Sequence, residues 1–203
     1  MKYESLTEMQ LDALREVGGI GAGHAATALA QLVDRPVLLE VPTIEFVEVS
    51  DVPRVFGGPE QLVCAAYARL LGDIEGGVLF IATREAGLEL IDLMHGRPLS
   101  TTASFGRDEE AMLAHISGIL ISAYLAAIAR MADIDVLPST PTIAFDMAGA
   151  LLEAVVSELG MRAHQALLVR TSFSHEGDKV EAAIFFVPDP DSLAIILGRI
   201  GMA

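Results

Sequence analysis

Residues 16–32, EVGGIGAGHAATALAQL, decide the fold because their pattern returns later in the chain. The stretch holds four glycines and five alanines where the spacing of apolar residues predicts a helix. Residues 115–131, HISGILISAYLAAIARM, follow the same pattern at an offset of 99 residues, so that Gly19 aligns with Gly118. A repeat at a fixed offset indicates an internal duplication.

A second pair of segments keeps the same offset. PTIEF at 42–46 aligns with PTIAF at 141–145, and each reads as an extended segment after a proline-marked turn. Further on, GDIEGGVLFI from residue 72 resembles GDKVEAAIFFV from residue 177. We therefore predict a single domain over residues 1–203, made of two fused repeats at about 6–98 and 106–201.

Each repeat also carries a pair of predicted strands joined by an acidic, turn-rich connection. They are LVCAAYARLL with EGGVLFIAT in the first repeat, and QALLVRTSFS with VEAAIFFVP in the second. Residues 95–107 read as the linker between repeats, and residues 145–159 as a further helix with Asp146 near its start. The predicted fold class is α+β, a pseudo-twofold unit with an antiparallel sheet built from both repeats and two equivalent helices.

Composition narrows the classes of partner. Thirteen Lys and Arg against 28 Asp and Glu give a net charge of −15, which repels nucleic acid and anionic lipid. The single cysteine, Cys64, excludes an internal disulfide, and the first ten residues lack the apolar core of a secretory signal. We expect a cytoplasmic protein.

Two motifs invite other interpretations. Residues 111–129 run 19 residues without a formal charge, close to the length of a membrane span, but a core helix explains them equally well. GGIGAG at 18–23 resembles a phosphate-binding loop, yet no strand precedes it and no Lys-Ser/Thr follows. The five histidines show no metal-binding spacing, and His24 reads as structural. We expect no metal site and no membrane insertion.

The segments quoted above, with LIDLMHGRP and LPSTPTIAFDM, occur in the order and spacing of a known family. Over nearly its whole length the chain resembles the CheC family of chemotaxis proteins, the CheC/CheX/FliY group. The resemblance implies action on phosphorylated CheY, the response regulator, and docking of CheD, a receptor deamidase. It implies no cofactor in this chain, since the regulator supplies its own Mg²⁺ and phosphoaspartate. The oligomeric state stays open.

The family's phosphatase motif is a Glu followed three positions later by an Asn, once in each duplicated helix. The Glu pairs with a lysine of the regulator, and the Asn holds the attacking water in line with the acyl phosphate. Here the first helix keeps Glu16 but has Gly19 at the Asn position, while the second has His115 at the Glu position and Gly118 at the Asn position. Both copies therefore lack the water-positioning side chain, and weak or absent activity is expected.

Three functions follow from these residues. The first is a CheC-like regulator that binds phosphorylated CheY, CheD or both, with Asp146 and Met147 in the region that the resemblance assigns to CheD docking. The second is an active phosphatase in which Glu16 works with a non-standard group such as His115 or Ser117. The third is a structural module like those of the flagellar switch, against which the chain length argues in the case of FliY.

Overall fold

The computed structural model describes residues 6–33, 38–39, 43–158, 165–175 and 178–202. The helices in this part of the chain are α1 (Glu8–Val33), α2 (Val52–Val55), α3 (Arg84–His95), α4 (Arg107–Ala132), α5 (Ala148–Glu158) and α6 (Pro190–Arg199). The strands are β1 (Leu38–Leu39), β2 (Thr43–Glu48), β3 (Leu62–Gly72), β4 (Gly76–Thr83), β5 (Val136–Pro138), β6 (Thr142–Met147), β7 (Gln165–His175) and β8 (Asp178–Pro188).

The described strands form one antiparallel sheet to which both predicted repeats contribute. Its centre runs β7-β8-β4-β3, with β1 and β2 both pairing with β7 and with β5 and β6 both pairing with β3. The predicted hairpins β3–β4 and β7–β8 are therefore confirmed. The edge strands cross between halves, because β2 joins the hairpin of the second half and β6 joins that of the first.

Two apolar cores lie on opposite faces of the sheet. Successive side chains of β3 alternate between them: Cys64 and Ala66 belong to the core that α1, α3, α4 and α6 cover, whereas Val63 and Ala65 belong to the core under α5. This alternation is the period-2 geometry of a strand covered on both sides. The sheet is accordingly the middle layer, with the two long helices, α3 and α6 on one face and α5 on the other.

The two long helices share their length and their pattern of burial. Helices α1 and α4 have 26 residues each, and their bounds differ by the 99 residues that separate the repeated sequences. Leu14 and Leu113 are buried at matching positions, as are Leu29 and Ile128. The arrangement is consistent with the predicted duplication.

Helix α4 is long and apolar enough to cross a membrane, the only such helix among the described residues. Half of its most apolar 18-residue window is buried inside the fold, and the helix packs against α1 and the sheet. Acidic residues at its start stabilise the helix N-terminus, where Glu109 Oε2 accepts a hydrogen bond from the Gly106 N–H at 2.9 Å. These contacts explain its apolar character as that of a core helix.

The helix predicted over residues 145–159 begins later than expected. Asp146 and Met147 belong to β6, where they pair with Val63 and Leu62 of β3, and α5 starts at Ala148. Pairing with β3 keeps both residues extended, a tertiary effect that overrides the local helical pattern. Asp146 is therefore a strand residue just ahead of the helix.

The predicted linker at 95–107 corresponds to residues 96–106, which connect α3 to α4, while His95 and Arg107 belong to the helices. Its first part is held by Asp92, which is fully buried. The Asp92 carboxylate accepts hydrogen bonds from the Thr101 N–H at 2.8 Å, from the Thr102 N–H at 3.1 Å and from the Thr102 hydroxyl. A buried carboxylate is tolerated here because the linker supplies these donors.

Candidate functional site

The first candidate surface is the exposed side of α1. Positions three and four residues apart share one side of a helix, and here they are exposed or half-buried. We define the α1 face as Glu16, Gly19, Ile20, Gly23 and Thr27. Ile20 keeps 40% of its surface exposed, which is unusual for a large apolar residue in this chain. The α1 face is thus a surface of mostly small side chains with one carboxylate at its N-terminal end.

The second candidate surface is the corresponding side of α4. We define the α4 face as His115, Gly118, Ile119, Ser122 and Ala126, the positions 99 residues after those of the α1 face. All five are exposed or half-buried. Because α1 and α4 bury their other sides in the same core, the two faces lie on the same side of the molecule, away from the sheet.

The two helices pack closely because α1 has a glycine where α4 has a large aromatic side chain. Gly21 lies against the ring of Tyr124, and a Cβ on Gly21 would come within 2.6 Å of Tyr124 Cδ2. Tyr124 is fully buried and meets Phe186 edge to face at 6.0 Å between ring centroids. Its burial raises the pKa of the phenol above the usual value. Gly21 therefore serves the packing of α1 against α4, whereas a Cβ on Gly23 would meet nothing within 4 Å.

A polar contact also links the helices. Arg130 Nη2 of α4 lies 3.1 Å from Nδ1 and 3.2 Å from Nε2 of His24 in α1. The near-equal distances place the guanidinium against the imidazole ring rather than in line with one nitrogen. His24 is thus engaged with the neighbouring helix, in keeping with a structural role.

Few side chains on these faces can perform chemistry. No described residue pairs with the Glu16 carboxylate, whereas the nearby Asp12 is bound to Arg15 at 2.7 Å. Gly19 and Gly118 offer no side chain. Ser117 is buried, and its hydroxyl donates to the Leu113 carbonyl within α4 at 2.7 Å, so it is unavailable to a ligand at the surface. The sequence-based suggestion that Ser117 replaces the missing group is wrong.

The site around Gly118 has room for a larger side chain. A Cβ built there would meet only Pro141 Cγ within 4 Å, at 3.9 Å, which is an ordinary van der Waals contact. The glycine is therefore not required by packing, in contrast to Gly21. A Cβ at position 118 fits the fold without displacing a neighbour.

Asp146 and Met147 lie on a third candidate surface, at the end of β6. Both are exposed, and the Asp146 carboxylate accepts the N–H of Met147 at 2.8 Å. Met147 is 44% exposed and pairs across strands with Leu62, which is 51% exposed. Two neighbouring large apolar side chains therefore face solvent at the end of β6, a pattern that the sequence alone did not reveal because Leu62 and Met147 are far apart in the chain.

The remaining candidates are structural. Cys64 is buried, and its burial raises the pKa of the thiol to about 12, so the thiol is not a nucleophile at neutral pH. Among the described residues, no group of three His, Cys, Asp or Glu side chains is arranged to hold a metal ion.

Comparison with known proteins gives the family. A profile of the CheC-like family matches residues 9–45, which include most of α1. CheY-P phosphatase CheC of Bacillus subtilis is 32% identical over 204 residues, covering 98% of this chain and 97% of that protein. The chain belongs to the CheC-like family. The resemblance inferred from the repeated segments is therefore confirmed.

One further relative and one solved structure with the same fold are similar to this chain. Flagellar motor switch phosphatase FliY of Bacillus subtilis is 28% identical over 95 residues, which are 47% of this chain and 24% of that protein. The crystal structure of Thermotoga maritima FliY shares the fold, with a TM-score of 0.76 at 16% identity over 97% of this chain and 98% of that one. The mixed fold with an antiparallel sheet is thus a known architecture.

Proposed function

We propose that this chain is a cytoplasmic chemotaxis regulator that binds a phosphorylated CheY-type response regulator through the α1 face and dephosphorylates it weakly or not at all. One observation carries the proposal: on α1 the carboxylate of Glu16 is exposed and unpaired among the described residues, while the water-positioning position next to it is glycine. The surface retains its docking charge and lacks its catalytic side chain.

The chemistry of acyl phosphate hydrolysis explains why the loss matters. The regulator carries the phosphoaspartate and the Mg²⁺ that neutralises its charge, so a phosphatase contributes chiefly the position of the attacking water. Backbone groups inside a helix are already hydrogen-bonded and cannot orient that water from Gly19 or Gly118. Removing one well-placed hydrogen-bonding group typically costs about 10²–10³ in rate.

The test is phosphate release from the phosphorylated regulator with and without this chain, together with a direct binding measurement. The proposal expects binding to the phosphorylated form and an acceleration of less than about tenfold, since the oriented water is missing. A larger acceleration would support the active phosphatase instead, with His115 as the candidate group because it is exposed on the α4 face. Co-purification with flagellar switch proteins and not with the regulator would favour the structural module.

A second proposed interaction is docking of CheD at Asp146 and Met147. The exposed pair of Met147 and Leu62 supports it, because adjacent exposed apolar side chains favour burial against a partner. Met147→Ser is expected to weaken binding of CheD in a pull-down with purified proteins, and Met9→Ser is the control, since Met9 is also exposed, at 68%, and lies on α1. Equal binding by both variants would reject this surface.

A further inference from the structure

The α1 and α4 faces occupy equivalent positions on two helices of equal length and differ in charge at one position. Glu16 and His115 occupy equivalent, exposed places at the start of each face, and Gly19 and Gly118 are both half-buried beside them. A carboxylate attracts a cation of the partner, whereas an imidazole is neutral or positive and does not. The α1 face therefore attracts a cation of the partner, and the α4 face does not.

Neighbouring charges preserve this difference. On α1 the nearby Asp12 is already paired with Arg15, which leaves Glu16 as the carboxylate free to meet a partner among the described residues of the α1 face. On α4 the nearest exposed carboxylates toward the helix start are Asp108 and Glu110. They lie seven and five residues before His115, about 7–11 Å along the helix axis, too far to replace a charge at its position.

We infer that this chain has a single docking site for the phosphorylated regulator, on the α1 face, and that His115 excludes a second copy from the α4 face. The inference rests on the proposed function and adds its stoichiometry and the residue that sets it. One chain then binds one regulator, although the fold has two faces at equivalent positions.

Isothermal titration of the full chain with the regulator, held in its phosphorylated form by beryllofluoride and Mg²⁺, measures stoichiometry and Kd together. The native chain is expected to bind one regulator. Glu16→Gln should weaken binding by about thirtyfold or more, because an ion pair at the interface is lost and the partner's cation is left unpaired. Glu153→Gln, the same change of charge on α5 across the sheet, should leave Kd unchanged.

The decisive variant is His115→Glu, which gives the α4 face the charge of the α1 face at an exposed position. Its stoichiometry is expected to rise from one toward two. Two regulators on the native chain, or one on the His115→Glu variant, would overturn the single-site inference while leaving binding itself intact. Absence of binding by every variant would instead refute the proposed function, and the inference with it.

Discussion

Gly21 of α1 lies directly against the ring of Tyr124 in α4, so close that a methyl group on Gly21 would stand 2.6 Å from Cδ2 and 2.7 Å from Cε2. Real Cβ atoms do not approach a ring carbon that closely, and the ring is fixed by complete burial. The contact sets how near α1 and α4 approach each other. The relative position of the two candidate faces therefore depends on a glycine.

Gly21→Ala is expected to destabilise the protein by about 1–3 kcal/mol, because overpacking forces the Tyr124 ring or the helices to shift. Gly23→Ala, two residues along the same helix, has no neighbour within 4 Å and should be neutral or stabilising by up to about 1 kcal/mol through helix propensity. Urea unfolding of both variants measures the difference. Equal effects would mean that the close contact is not maintained in solution.

Much of this architecture can be predicted from the sequence, because the repeated segments and the period-2 strands are local patterns. The two long helices, the two hairpins and the linker all follow from them. The pairing of β2 with β7 and of β6 with β3 cannot be derived in this way, because the sequence of a strand does not show which distant strand it pairs with. The late start of α5 is also unpredictable from local sequence, because it depends on the pairing of Asp146 and Met147 with β3.

The candidate site is only partly visible in the sequence. The motif positions 16, 19, 115 and 118 come from the family resemblance, and the structure adds their exposure. Ser117 shows the limit of sequence reasoning. The sequence suggested that its hydroxyl could position a water, but Ser117 lies on the side of α4 that faces the core. The contact of Arg130 with His24 joins residues 106 positions apart, which no local pattern reveals.

Asp92→Ala is expected to cost about 2–4 kcal/mol of stability, because it removes the hydrogen bonds that a charged acceptor makes to the partly buried N–H groups of Thr101 and Thr102 and to the Thr102 hydroxyl. Asp12→Ala is the matched control. It removes an exposed ion pair with Arg15 and should cost less than about 1 kcal/mol. Thermal and urea unfolding give both values, and a similar cost for the two variants would show that Asp92 does not hold the linker.

The buried thiol of Cys64 gives stability a dependence on alkaline pH. Its pKa rises from 9.0 to about 12 on folding, so between these values the unfolded chain releases a proton that the folded chain keeps. Ionisation then favours the unfolded state, and the free energy of unfolding should fall as the pH rises above about 9. Tyr124 contributes in the same direction at higher pH.

Two measurements check this. The slope of unfolding free energy against pH between 9 and 11 should be smaller in Cys64→Ala than in the native chain. A thiol reagent at pH 8 should label Cys64 only after denaturation, because the side chain is fully buried. Rapid labelling of the native protein would contradict both expectations.

The central claim is that a docking surface remains where the water-positioning side chain has been lost, and Gly19→Asn tests it most directly. The variant restores the Glu and Asn spacing on α1 with one substitution, and Gly198→Asn on α6, a glycine with open space around it, controls for the change itself. Phosphate release from the phosphorylated regulator should accelerate by about 10²–10³ in Gly19→Asn relative to the native chain. Rates equal to the native rate in both variants would contradict the account.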